Sequence, residues 1–195
     1  FADALFEIVS GLTTTGASVV PNVENLSYSI LFWRSFSHWI GGMGVLVFVM
    51  AVTSRAPDRS MHILRAEMPG PIVDKLVPRS KDTAKILYLI YIGMTAALII
   101  ALLICGMPLF DSIVHAFGTA GTGGFGIKSN SIAGYSKAAQ WVITVGMFLF
   151  GINFNLYYLI LIKKFKSAIK SQELWVYSGL VIGSTFVIAF NILNL

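Results

Sequence analysis

The chain has 195 residues, of which 56% are apolar and only 12% charged. Its mean hydropathy of +0.78 lies well above the balance of a soluble domain, which excludes an ordinary cytosolic enzyme. The 14 Lys/Arg and 9 Asp/Glu leave a net charge of +5, but most basic residues gather in two blocks between long uncharged runs. That distribution marks membrane-flanking loops rather than a nucleic-acid surface, and no nucleic-acid partner is expected. The single cysteine, Cys105, allows neither a disulfide framework nor a Cys-based metal site within the chain. The chain opens at Phe1 without a basic leader, and both ends fall in apolar segments, so it reads as part of a longer protein.

In chain order, residues 1–12 are apolar but too short to cross a bilayer, which needs roughly 20 helical residues. They are read as a re-entrant half-helix. Residues 29–53 are long enough to span, although Arg34 and His38 lie near the start. Residues 54–85 hold Arg55, Arg59, Arg65, Lys75, Arg79, Lys81 and Lys85 and are expected to form a cytoplasmic linker by the positive-inside rule. Residues 86–105 are an uncharged span. Residues 109–119, preceded by Pro108, form a second expected half-helix. The span over 140–162 is interrupted by Gly151, Asn153 and Asn155, and broken helices at membrane depth mark transport sites. Residues 163–173, with Lys163, Lys164, Lys166 and Lys170, form a second cytoplasmic loop, and 174–195 a last span. With both half-helices on the outer side, every loop falls on a consistent face.

Laying residues 1–18 over 109–126 pairs Asp3 with Asp111, Thr14 with Thr122, Gly16 with Gly124 and Ser18 with Gly126. The order of short helix, Thr/Gly stretch, polar loop and long span repeats as well, so one structural unit is used more than once. The runs Thr14-Thr15-Gly16-Ala17-Ser18 and Thr122-Gly123-Gly124-Phe125-Gly126 share a T-x-G-x-small pattern. Non-helical backbone at membrane depth is tolerated only where it lines a watery path or is buried in protein. Glycine lets successive carbonyls turn to one side, threonine adds a hydroxyl, and rings of such oxygens replace the hydration shell of K⁺. The preceding half-helix aims its negative C-terminal end at the same point.

The run from Phe6 to Ser18, Phe6-Glu7-Ile8-Val9-Ser10-Gly11-Leu12-Thr13-Thr14-Thr15-Gly16-Ala17-Ser18, followed by Trp39-Ile40-Gly41-Gly42-Met43-Gly44, resembles the second repeat of bacterial Trk/Ktr potassium-uptake membrane subunits, the superfamily that includes plant HKT transporters. Ala66-Glu67-Met68-Pro69-Gly70-Pro71 and Thr122-Gly123-Gly124-Phe125-Gly126 are similar to that family's next linker and third repeat, and the similarity runs over essentially the whole chain. The resemblance implies an all-α integral membrane protein built of span, pore half-helix, filter loop and span units around one potassium-channel-like pore. Residues 1–53 would end the second repeat, 86–162 form the third and 174–195 begin the fourth. It further implies that Thr14, Thr15, Gly16, Ala17, Thr122, Gly123, Gly124 and Phe125 supply two quarters of a K⁺ filter, with Gly16 and Gly124 at the position associated with K⁺ over Na⁺. Gly151, Asn153 and Asn155 would form an intramembrane gate. Implied partners are the remaining repeats, a second copy in a homodimer, the lipid bilayer and a cytosolic nucleotide-binding regulatory subunit of the TrkA/KtrA type. The implied location is the bacterial inner membrane, crossed several times; no covalent chemistry and no cofactor beyond the transported ion are implied.

Other readings of the same residues are weaker. Residues 121–126 match G-x-G-x-x-G in letters, but they follow an expected helix rather than a strand, and no helix opens after them. Gly41, Gly42 and Gly44 serve equally well as helix-packing contacts. Arg34 is expected to snorkel to the interface or pair with Glu24. His38, His62 and His115 lack metal-ligand spacing and are read as structural. Asp3 and Asp111, near the starts of the half-helices, fit both helix-dipole compensation, the simpler reading, and attraction of cations to the mouth. Two functional alternatives remain open: a secondary transporter with its substrate site at Gly151 to Asn155, and a non-conducting assembly subunit whose Thr/Gly loops pack against lipid-facing helices.

Overall fold

A computed structural model describes residues 1–44 and 80–193, and these are helical with connecting loops and no strands. The chain divides into two units, Phe1–Gly151 and Ile152–Leu195. The inner half of the first expected span, the Ala66 to Pro71 motif and most of the linker lie outside the described residues.

In the first unit, α1 (Ala2–Leu12) and α4 (Leu109–Ala120) are the two half-helices; a 3₁₀ turn at Val23–Asn25 precedes α2 (Tyr28–Gly42). Helix α3 (Ser80–Ile104) begins within the stretch read as linker, because its polar start is compatible with helix beyond the apolar run. Pro108 is the N-cap of α4, where its missing N–H costs nothing. Helix α5 (Lys137–Phe150) starts at Ser136, whose hydroxyl accepts from the Ala139 amide at 3.2 Å.

Helix α2 packs between α1 and α4, and α4 also contacts α3 and α5. Small residues allow the close approaches. A Cβ on Gly11 would overlap the Ser37 hydroxyl of α2, and one on Gly41 would overlap the Leu12 carbonyl. Gly146 of α5 faces the Thr119 methyl, which would stand 3.0 Å from an added Cβ. Polar bonds tie α2 to α3: the Tyr91 hydroxyl donates to the Trp39 carbonyl at 2.8 Å, and the Trp39 indole donates to Thr95 Oγ1 at 3.1 Å. Tyr91, Leu102 and Val114 are fully buried at the centre of this arrangement.

The second unit holds α6 (Phe154–Leu161), α7 (Phe165–Ile169) and α8 (Gln172–Leu193). Helix α7 occupies part of the segment read as a loop. Asn153 caps α6 through its side-chain oxygen, which accepts from the Asn155 amide at 3.0 Å. Lys85–Ile104 and Gln172–Ile192 are each long and apolar enough to cross a membrane, as is the interrupted pair Lys137–Phe150 and Phe154–Leu161 if taken as one span. Phe186, Val187 and Phe190 along α8 are exposed.

Candidate functional site

Helices α1 and α4 stop at Leu12 and Ala120, and neither following run continues as helix. The two ends are built alike. The Thr13 and Gly121 amides donate to the Val9 and Phe117 carbonyls, and the Thr14 and Thr122 amides donate to those of Gly11 and Thr119 at 3.0 and 2.9 Å. The chain then enters the left-handed region at Thr14 and Thr122, with φ of 55° and 56°, and again at Gly16 and Gly124, both at 76°. Threonine rarely adopts this conformation because its branched Cβ crowds the backbone, whereas glycine adopts it at little cost. Strain of this kind persists where surrounding structure enforces it, and it concentrates at functional sites. The repeated letters are thus a repeated backbone geometry.

The fourth residue of each run, Ala17 or Phe125, turns its carbonyl back to its half-helix. Ser10 of α1 donates to the Ala17 carbonyl at 2.6 Å. Gly118, at the matching place on α4, has no side chain, and a Cβ there would stand 2.6 Å from the Phe125 carbonyl oxygen. One repeat anchors its loop by a hydroxyl and the other by direct backbone approach.

The two loops also meet. The Gly123 carbonyl oxygen lies where a Cβ on Gly16 would stand, and the Thr14 carbonyl oxygen would be 2.9 Å from a Cβ on Gly123. Above them opens a cleft of about 260 Å³ whose lining includes Gly16, Ser18, Arg34, Gly124, Phe125 and Lys128. Thr15 reaches the Thr13 hydroxyl at 2.8 Å, while Thr122 and Gly124 are exposed.

Helix α2 backs both loops. Arg34 is 5% exposed and donates through Nε to Glu7 Oε2 at 2.7 Å and through Nη2 to Ser18 Oγ at 3.0 Å. Glu7, 7% exposed, accepts from Ser18 Oγ and the Val19 amide through Oε1, both at 2.8 Å. The Arg34 guanidinium carbon stands 4.5 Å from the centre of the Phe125 ring, so one side chain braces both loops. This corrects the expectation that Arg34 snorkels or pairs with Glu24: a carboxylate buried in the half-helix requires a partner, and Arg34 supplies it. Glu24 instead accepts from the Ser129 amide at 3.1 Å and ties the 3₁₀ turn to the loop after the second run.

In the second repeat His115 takes the place that Glu7 has in the first and packs edge-on against Tyr135 at 5.2 Å. The Tyr135 hydroxyl donates to Asp111 at 2.7 Å, and burial together with that carboxylate holds the phenol above its ordinary range. Lys128 lies 4.2 Å from the centre of the same ring. The Asp111–Tyr135 bond is a fixed contact beyond the dipole role read from sequence.

At the interrupted span, α5 closes on Gly151 in helical conformation, and Asn153 and Asn155 open α6. Asn153 Nδ2 also donates to both Glu173 oxygens at 3.1 and 3.0 Å. Among the described residues no group of His, Cys, Asp or Glu is arranged to hold a metal ion. Glu7, Ser10 and Lys128 are side chains beside the two loops that the sequence pattern did not single out. A lone Glu inside an apolar half-helix was the available signal, since it must be paired.

Helices of crossing length and paired half-helices ending in matching left-handed loops give this chain the architecture of a helical membrane protein. The chain belongs to the TrkH family of cation transport proteins, which matches residues 1–179. That is a transport family, not a family of enzymes. The chain is 41% identical over 161 residues to the Trk system potassium uptake protein TrkH of Salmonella typhimurium, a match covering 82% of this chain and 33% of that protein. It is 39% identical over 196 residues to the Trk system potassium uptake protein TrkG of Escherichia coli K12, covering 98% and 40%. The crystal structure of the potassium transporter TrkH from Vibrio parahaemolyticus superposes with a TM-score of 0.66 at 33% identity, covering 92% of this chain and 36% of that one. The chain therefore spans a third to two fifths of the length of these relatives.

Proposed function

We propose that this chain forms part of a K⁺ uptake protein and that its two Thr/Gly loops supply half of a selectivity filter. The observation that carries the reading is the shared backbone of Thr14 and Gly16 with Thr122 and Gly124, left-handed at matching positions in two loops that touch. The relatives' names, as potassium uptake proteins, support the ion. Thr14, Thr15, Gly16 and Ala17 and, from the other repeat, Thr122, Gly123, Gly124 and Phe125 would supply the two filter segments, with backbone oxygens facing the ion. Remaining repeats would complete the ring. The cleft at Gly16, Gly124 and Lys128 would be its outer mouth.

The further parts follow the same reading. Gly151, Asn153 and Asn155 form the gate, supported by the interruption between α5 and α6. Residues 1–53, 86–162 and 174–195 belong to successive repeats, joined by cytoplasmic segments 54–85 and 163–173 in a bacterial inner membrane. A homodimer and a cytosolic nucleotide-binding regulatory subunit of the TrkA/KtrA type complete the assembly.

The test is Gly124→Ser in the complete protein, with K⁺ and Na⁺ uptake measured side by side. The reading predicts a loss of K⁺ preference; an unchanged preference overturns it.

A further inference from the structure

His38 lies on α2, 0% exposed, with its ring beside the Thr14 backbone, yet neither ring nitrogen reaches full hydrogen-bond geometry with any described residue. Buried polar side chains nearly always find partners, so an exception calls for a physical reason. The surroundings give one. The ring occupies the volume in which a Cβ on Gly123 would stand, against Nε2 and Cε1, and a Cβ on Gly121 would be 3.2 Å from Cδ2 and 2.7 Å from the His38 carbonyl. The ring centre is 4.4 Å from that of Phe125. The Thr14 carbonyl of the other loop reaches the same spot beside Gly123. His38, Gly123 and Gly16 are therefore stacked in series: imidazole against the Gly123 backbone, and the Gly123 carbonyl against Gly16.

We propose that His38 is a positioning residue, a wedge behind Gly123 that sets the spacing between the loops of successive repeats and through it the discrimination of K⁺ from Na⁺. The inference rests on the filter reading above. Discrimination by carbonyl oxygens depends on how far they can close on the smaller ion, whether through cavity size or through the number and field of the dipoles. Without the ring a void opens behind Gly123, the loop gains room to retreat from Gly16, and the spacing is no longer held. The same packing suits glycine at 121 and 123: a side chain at 123 would overlap the imidazole, and one at 121 would meet the His38 carbonyl and the edge of its ring. Gly124, which among the described residues has only the flexible end of Met147 nearby, is free of that constraint.

The experiment uses the complete protein in a host lacking its own K⁺ uptake, with membrane levels checked for each variant. His38→Ala is expected to lower the K⁺ over Na⁺ preference by about tenfold and raise the KM for K⁺, with maximal uptake within about twofold of the parent. His38→Gln, planar and of similar reach, is expected to restore most of the preference. A merely structural histidine would change the amount of protein and leave its ion preference alone. Parental preference in His38→Ala at normal membrane level overturns the proposal. If that variant fails to accumulate, His38→Asn carries the same expectation at smaller size, and parental preference there overturns it equally. Gly124→Ser is measured in parallel: a shift there without one at His38 removes the wedge and leaves the filter standing, whereas no shift at either removes both.

Discussion

The Gly123 carbonyl oxygen fills the place where a side chain on Gly16 would begin. Gly16 is therefore constrained twice, by its positive φ and by a neighbour from the other repeat, whereas Gly124 shares the φ but among the described residues meets only Met147 Cε, at 3.3 Å from an added Cβ. Two positions equivalent in sequence are unequal in space.

That inequality gives a first prediction. Gly124→Ala costs about 1–2 kcal/mol of backbone strain, with Met147 moving aside. Gly16→Ala bears the same strain and also drives a methyl into fixed backbone, so it costs more and abolishes K⁺ uptake. Thermal unfolding of the two purified variants, with uptake assays, separates them; equal losses would contradict the contact.

The Glu7–Arg34 pair gives a second. Both side chains are buried, so removing either leaves an uncompensated charge at a cost of about 3–5 kcal/mol. The Ser18 hydroxyl and Val19 amide lose their acceptor with Glu7. Glu7→Leu with Arg34→Met is expected to be less destabilised than either single change, since no charge is left unpaired. A double-mutant cycle read by unfolding in detergent checks this.

A third concerns Asn153, which both caps α6 and bonds Glu173. Asn153→Ala removes the cap at about 1 kcal/mol and frees Glu173. If the interruption gates the pathway, Glu173→Ala, which removes the acceptor and leaves the cap, alters uptake rate while K⁺ preference stays at the parental value. Changed preference would place this contact in selectivity instead.

A fourth is a pH effect outside the membrane-spanning helices. The Tyr135 phenol is held above its ordinary range by burial and the Asp111 bond. Its stabilising contribution is therefore complete below the unfolded value of about 10 and is lost as pH rises towards the folded one. Tyr135→Phe lacks this alkaline loss and is less stable at neutral pH by about 1 kcal/mol. Unfolding of both proteins as a function of pH reads the difference.

Much of this arrangement is legible in the chain itself. Short apolar runs give half-helices within a residue of residues 1–12 and 109–119, because apolar length against bilayer thickness is a local signal. The last span is found almost as readily. What escapes is long-range. Arg34 has Glu24 nearer in sequence, yet the buried carboxylate of Glu7 claims it, and only the fold brings them together. His38 reads as an ordinary core histidine until its ring is found against Gly123. The start of α3 at Ser80 escapes because polar residues beyond the apolar run leave hydropathy silent about helix.

The most direct measurement of the central claim is the anomalous diffraction of Tl⁺ soaked into crystals of the complete protein in place of K⁺. The account predicts density in inner-sphere contact with carbonyl oxygens of residues 14–16 and 122–124. Density confined to another part of the molecule, with these oxygens turned from it, would contradict it.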